Sequence, residues 1–299
     1  MPHALKKGTA LDIEREDYAY TRDLDLTGWA WEFLRRHAPY GADYLSNHRI
    51  PQSSFFHESG ARIYQLRTQV TASENWGLLQ FAEPEKSALE LNLFWRHELI
   101  THVARCRARP VIDGTIETVS LQMFKARCGV LLSNGREHVA VRGRKRFACL
   151  EIVDGSILRG ESELTFFHEG FGSVSRHHET LCILRQLMKT QSVETVDSIA
   201  STSKYLHYLI ALDGHLAGQS YREIAQVLYG AEVVGDFWTG DTRGYKSRAR
   251  RAVEQGLALM NGGYRALLYG CRKQPMPSST LPQSKQTHDT PSIAMTMQE

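Results

Sequence analysis

The sequence predicts an α+β chain, and three observations carry that prediction. Short runs rich in Val, Leu and Phe, divided by turn residues, fill 117–153. Apolar residues recur at helical spacing near the N-terminus and again from about 181 to 260. The last stretch is rich in Ser, Thr, Gln and Pro and has too little apolar content for a core. The expected architecture is a small N-terminal helical region, a central antiparallel β-sheet, a C-terminal helix-turn-helix bundle and a disordered C-terminal tail. The boundaries read as a poorly ordered N-terminus over 1–25, an aromatic-rich N-terminal domain with its connector over 26–115, a sheet with a helix-turn-helix over 116–272, and a tail over 273–299.

Composition bounds the class without choosing a function. The 299 residues are 42% hydrophobic and 23% charged, ordinary for a globular protein. A net charge of +3 neither demands nor excludes a nucleic-acid partner, so the local distribution of charge must decide. The five cysteines (Cys106, Cys128, Cys149, Cys182, Cys271) form no close pair, which is the usage expected of reduced core thiols rather than of a metal or redox motif. The first residues lack an apolar export core and no run reaches membrane-spanning length, so a cytoplasmic location with no membrane partner is expected.

Taken in order, "DLTGWAWEFLRRHAPYGADY" begins with Thr27 as a candidate cap for a short helix, and Pro39 should fix its end near His37. The aromatics Trp29, Trp31, Phe33, Tyr40 and Tyr44 exceed what one small helix can bury alone. They belong either to a helix docked on a neighbouring domain or to a protein-contact surface. From 55 to 115 the signal is mixed. "TVSLQMF", "CGVLLS", "HVAVRG" and "FACLEIVDG" then read as strands, with Asn134-Gly135 as a hairpin turn between the second and third. Leu181, Leu184, Leu187 and Met188 mark an amphipathic helix, and Tyr205, Leu209, Leu212 and Leu216 mark another that stops at Gly218.

Two further helices carry the functional signal. In "GQSYREIAQVLYG", Ser220 and Glu223 make a capping box, Tyr221, Ile224, Ala225 and Leu228 share a face, and Gly230 ends the helix. Ala225 is small enough for a second helix to cross there. After a loop over 231–240 that includes Trp238, a longer helix runs from about Thr242 to Met260. On a helical wheel Ala249, Val253, Gly256 and Met260 fall together as the buried side, and Arg243, Ser247, Arg250, Arg251 and Glu254 fall on the opposite side. Arg243, Lys246, Arg248, Arg250 and Arg251 face one negative residue, Asp241, within 241–251, a local charge of +4 (five minus one).

Arginine's planar fork suits guanine edges and phosphate oxygens, and a helix-turn-helix presents the start of its second helix to the major groove. Arg243, Ser247, Arg250 and Arg251 are therefore expected at base edges of double-stranded DNA, and Lys246 and Arg248 at phosphates. A second basic run, "RGRKR", places Arg142, Arg144, Lys145 and Arg146 after a strand. It reads either as a secondary phosphate grip or as charges that keep a hairpin end soluble.

"LDGHLAGQSYREIAQVLYG" followed by "YKSRARRAVEQGLALMNGGYRALL" resembles the C-terminal domain of FseA-type transcriptional activators of proteobacterial integrative and conjugative elements. "WAWEFLRRHAPYGADY" resembles their N-terminal domain, and "NWGLLQFAEP" with "FWRHEL" their connecting region, so the likeness spans roughly residues 25 to 270. "RRHAPYG" stands where that family more usually has Asn-Pro followed by a basic residue after the tyrosine, and His97 stands where a proline is common. The resemblance implies an activator of excision and transfer genes, with RNA polymerase as a partner. QseM-type antiactivators share the C-terminal domain type, so an antiactivator is a second implied partner.

No pattern points to catalysis or to a cofactor. His97-Glu98 and His177-His178 lack the spacing of a metal motif, and "RGRKR" lacks the Lys-Ser/Thr ending of a phosphate loop. The sequence thus predicts a DNA-binding transcriptional activator that is not an enzyme and has no metal or other cofactor. Its alternatives are a protein-binding, antiactivator-like regulator and a plasmid-type replication initiator; oligomeric state is not specified.

Overall fold

A computed structural model describes residues 15–47, 52–66, 71–112, 117–168, 170–190, 198–232, 234 and 243–269. The predicted tail and Trp238 lie outside the described residues. The chain is α+β, with N-terminal helices, a central sheet and a C-terminal helical bundle.

The N-terminal expectation needs correction. Arg15–Asp23 forms a 3₁₀ helix in which Tyr18 and Thr21 are buried, because the Tyr18 hydroxyl donates to Asp213 at 2.8 Å and the Tyr20 hydroxyl to Glu32 at 2.8 Å. Helix α1 (Leu26–Leu34) is capped by Asp25, which accepts from the Gly28 N–H at 3.0 Å; Thr27 lies inside the helix. The carboxylate wins the cap position because it also receives the Arg142 guanidinium at 2.8 Å. Pro39 does not stop α1, which ends earlier; it sits in the first turn of α2 (Ala38–Asn47), where its missing N–H costs nothing, and a single turn, α3 (Thr71–Glu74), follows in the connector.

The sheet is larger than expected and mixed. Strands β1 (Gln52–Phe56), β2 (Arg62–Leu66), β3 (Val103–Pro110), β4 (Arg127–Ser133), β5 (Arg136–Gly143), β6 (Arg146–Asp154) and β7 (Ser162–Phe167) lie in the order β1-β2-β4-β5-β6-β3-β7. The β2–β4 and β3–β6 pairs are parallel, and the others are antiparallel. Three strands therefore come from before residue 116, where the sequence shows no clean period. By contrast "TVSLQMF" supplies no strand: Leu121–Met123 is one 3₁₀ turn. The β4–β5 hairpin is as expected, with Asn134 and Gly135 at φ 53 and 72, the positive pair that a type I′ turn requires.

Both faces of the sheet are covered, as parallel pairing favours. On one side, α4 (Val174–Lys189) lays Ile183, Leu184 and Leu187 over Cys106, Val139, Val141, Leu150 and Ile152. On the other, Leu131, Ala140, Phe147 and Cys149 join a continuous core with Trp29, Trp31, Phe33, Trp95, Leu209, Val253 and Tyr264. The N-terminal helices, the connector and the C-terminal bundle thus share one apolar interior.

That interior decides the fate of the aromatic group. Trp29, Trp31, Phe33 and Tyr40 are fully buried and Tyr44 partly so, with Trp31 edge-on to Tyr40 at 5.5 Å and Trp29 against Tyr205 at 5.8 Å. Of the two readings open from the sequence, the docked helix is the structure's for Trp29, Trp31, Phe33 and Tyr40, which have no free area to offer a partner, while Tyr44 is half-buried.

Candidate nucleic-acid interface

Helix α5 (Ser198–Leu216) buries Tyr205, Leu209 and Leu212, while Leu216 is exposed at the helix end. The chain then turns at Gly218 (φ 81) into α6 (Tyr221–Tyr229). Its capping box is complete: the Glu223 N–H donates to Ser220 Oγ at 3.3 Å, and the Ser220 N–H to Glu223 Oε2 at 2.7 Å. Ile224, Ala225 and Leu228 are buried, as the helical spacing required.

The basic helix is α7 (Arg243–Ala258). Its inner side is Ala249, Ala252, Val253 and Gly256, followed by Met260 in the π-helical turn Leu259–Gly263 that leads into α8 (Tyr264–Leu268). Gly256 marks where α7 crosses α5: a Cβ there would lie 2.6 Å from the Tyr208 carbonyl oxygen and 2.9 Å from Leu212 Cβ. The missing side chain sets the closeness of that crossing, and hence which side of α7 faces out.

Of the outward side expected from the wheel, Arg250, Arg251 and Glu254 are exposed and Ser247 is half-buried; Lys246 and Arg248, which flank it, are exposed too. The Arg243 side chain lies outside what the structure describes. Arg250 approaches Glu254 at 3.4 Å, both exposed, so that pair is weak in water. Lys246 and Arg251 have no ion pair among the described residues. Arg248 lies over the Tyr245 ring at 5.6 Å, and Tyr245 in turn lies 5.2 Å from Tyr229 of α6. Tyr245 was not singled out from sequence, although an aromatic residue in the first turn of a basic helix was the signal available.

The "RGRKR" run divides. Arg142 is buried, pairs with Asp25 at 2.8 Å, donates to Thr27 Oγ1 at 3.0 Å and sits 4.7 Å over the Phe147 ring. It is a structural cation, so its expected grip on a DNA phosphate is corrected: the α1 cap already holds it. Arg144 is exposed, 3.7 Å from Asp23. Lys145 takes φ 56 at the β5–β6 turn, and its N–H donates to the Asp23 carbonyl at 2.8 Å. Arg146 is half-buried.

One polar cluster had no local sequence signal. His138 of β5, Glu151 of β6 and His97 of the connector come together, with His138 Nδ1 3.3 Å from His97 Nε2 and His97 Nδ1 3.1 Å from Glu151 Oε2. Arg136 and Arg105 complete it, reaching Glu151 at 2.6 and 2.7 Å. Burial works against the Glu151 carboxylate, but the hydrogen bonds from His97, Arg136 and Arg105 hold its pKa far below the usual range. Burial first, and His97 second, push the His138 pKa down to about 4. Among the described residues this is the one group whose donors lie close enough for a metal ion, yet both Glu151 oxygens are already taken by arginines.

Two family models match the chain. Residues 167–269, covering α4 to α8, match RovC_DNA-bd, described as "T6SS, Transcription factor, DNA binding domain". Residues 14–81 match a "Proteobacterial transcriptional regulator-like domain". None of the curated proteins matches the chain. The chain therefore carries a DNA-binding domain of transcription-regulator type, and both matched families are regulators rather than enzymes. No helix among the described residues is long and apolar enough to cross a membrane.

Proposed function

We propose that this chain is a transcriptional activator that reads double-stranded DNA with α7. The observation that carries the reading is the two-sidedness of that helix. Its inner side is pinned to α5 at Gly256, and its outer side presents Lys246, Arg248, Arg250 and Arg251 to solvent within the region matched to a DNA-binding domain. A merely solvated helix would mix charges, whereas this strip answers four cations with Glu254 alone.

In this reading Arg243, Ser247, Arg250 and Arg251 meet base edges, and Lys246 and Arg248 meet phosphates. Tyr245, wedged against Tyr229, holds Arg248 over its ring as a positioning residue. Arg144, Lys145 and Arg146 are secondary backbone contacts. The 26–115 region acts as the regulator-like half and the sheet braces the reader.

The likeness to FseA-type activators suggests excision and transfer genes of a mobile element as targets, and the description of the matched DNA-binding family offers secretion genes as a competing set. RNA polymerase and an antiactivator are the partners this reading implies, through surfaces other than the buried aromatics. Selection of bound fragments from the host genome, with the parent protein and with Arg250→Ala/Arg251→Ala, tests the proposal. Enrichment of one upstream region by the parent and its loss in the variant is the expected result. A folded parent that enriches nothing would move the reading to a protein-binding regulator.

A further inference from the structure

The sheet carries a cleft of about 400 Å³ beside the N-terminal 3₁₀ helix, within the size range of small-ligand sites. Lys125, Arg127, Arg142 and Arg144 line it, with Asp23 as the one carboxylate and Leu89 and Ala126 as apolar wall. Arg127 and Arg142 are direct cross-strand partners in the β4–β5 ladder. Like charges placed opposite each other in an antiparallel pair are destabilising, and the cost rises where water is partly excluded.

Asp25 answers Arg142, but little in the protein offsets the other cations. Arg142 spends its two terminal nitrogens on Asp25 and Thr27, and its buried Nε has no partner. Among the described residues the Arg127 side chain reaches the Leu91 carbonyl, at 3.4 Å, and neither Arg127 nor Lys125 has an ion pair. Arg144 is a loose 3.7 Å from Asp23. Burial, and then the Arg142 guanidinium, lower the Arg127 pKa, the direction expected of one cation crowded by another.

We propose that this cleft is a phosphate-binding site, in which a phosphate group is gripped by Arg127, Lys125 and Arg144, while Arg142 beside them stays on Asp25 and Thr27. A phosphate oxygen set is the chemistry that answers the Arg127 and Arg144 guanidinium groups and the Lys125 ammonium at once, since a guanidinium fork donates two parallel hydrogen bonds to it. The group belongs either to a small phosphorylated ligand or to the DNA backbone. The site does not depend on how α7 docks, so its failure and that of the reader helix are separable.

The full chain is compared with Lys125→Gln/Arg127→Gln, which leaves the Arg142–Asp25 pair intact. Thermal melting is followed in sodium phosphate and in sodium chloride of matched ionic strength, and DNA affinity is measured against salt. Lys125→Gln alone serves as the second variant, and the chloride melts show that each variant folds. Phosphate should raise the parent's melting midpoint by a few degrees more than the variant's. If the seat serves a small ligand, the variant loses that shift and keeps the parent's salt slope. If it serves DNA, the slope falls by about two, one for each cation removed. Variants that match the parent in both the phosphate shift and the salt slope would overturn the site.

Discussion

Arg36 and Asp213, 177 residues apart, form a two-pronged ion pair: Nε reaches Oδ1 at 2.5 Å and Nη2 reaches Oδ2 at 2.8 Å. The pair joins the N-terminal segment to α5, the helix against which α7 is set. It sits in a mostly buried network, because Arg36 also donates to Glu32 at 2.9 Å and Tyr18 donates to the same Asp213. Burial opposes the charge on Arg36, but Asp213 more than answers it, so its pKa is raised.

Removing one partner of such a pair leaves a largely buried charge unanswered. Asp213→Ala should cost about 3 kcal/mol in urea unfolding. Unfolding should remain one cooperative transition, since the N-terminal helices share a core with the bundle. A cost below about 1 kcal/mol would mean that the network is solvated and does not tie the two regions.

The α7 strip separates base reading from phosphate holding. Arg250→Ala or Arg251→Ala should lower discrimination between a selected site and a scrambled one by about 1–3 kcal/mol each. Lys246→Ala should weaken both DNAs alike and reduce the salt slope by about one. Quantitative gel-shift titrations across salt concentrations distinguish the two patterns, and parental behaviour in all three variants would contradict the docking proposed.

Gly256→Val places side-chain atoms where the Tyr208 carbonyl and Leu212 now sit. Overpacking of this kind typically costs about 1–3 kcal/mol, so the variant should melt earlier and bind its site more weakly. Gly244→Ala, where an added Cβ would meet nothing, is the control expected to keep parental stability.

The His97–His138–Glu151 cluster predicts a direction of pH dependence. His138 has a folded pKa near 4, below its unfolded value of about 6.5, so the unfolded chain binds more protons between them. Its contribution is complete above about pH 6.5 and is lost as pH falls through that window, on the order of 3 kcal/mol if the whole shift is expressed. Glu151, also depressed, has the same sign, but its contribution is lost below the ordinary carboxylate range, about pH 4.3. Denaturant midpoints of the parent should fall between pH 7 and pH 5. His138→Gln should flatten that fall, and an unchanged slope in the variant would remove His138 as its source.

Local chemistry was enough where neighbours in sequence are also neighbours in space. The α6 capping box, the Asn134-Gly135 turn and the buried side of α7 all follow from spacings of one to four residues, and the structure reproduces them. The exposure of the α7 cations is legible for the same reason. Tertiary contact decided the rest. Strands β2 and β3 pair with segments dozens of residues away, and β1 joins the sheet through β2, so no local period announces them. Arg142 reads in sequence as one more cation of a basic run, yet Asp25, on an element 117 residues earlier, turns it into a buried structural charge. The same holds for Trp29, Trp31, Phe33 and Tyr40: the sequence determined that they needed cover, and only the packing of distant helices determined that the cover is the chain's own core. Spacing fixes which side of an element is apolar, whereas the partner that desolvates a charge or an aromatic ring is fixed by the fold as a whole.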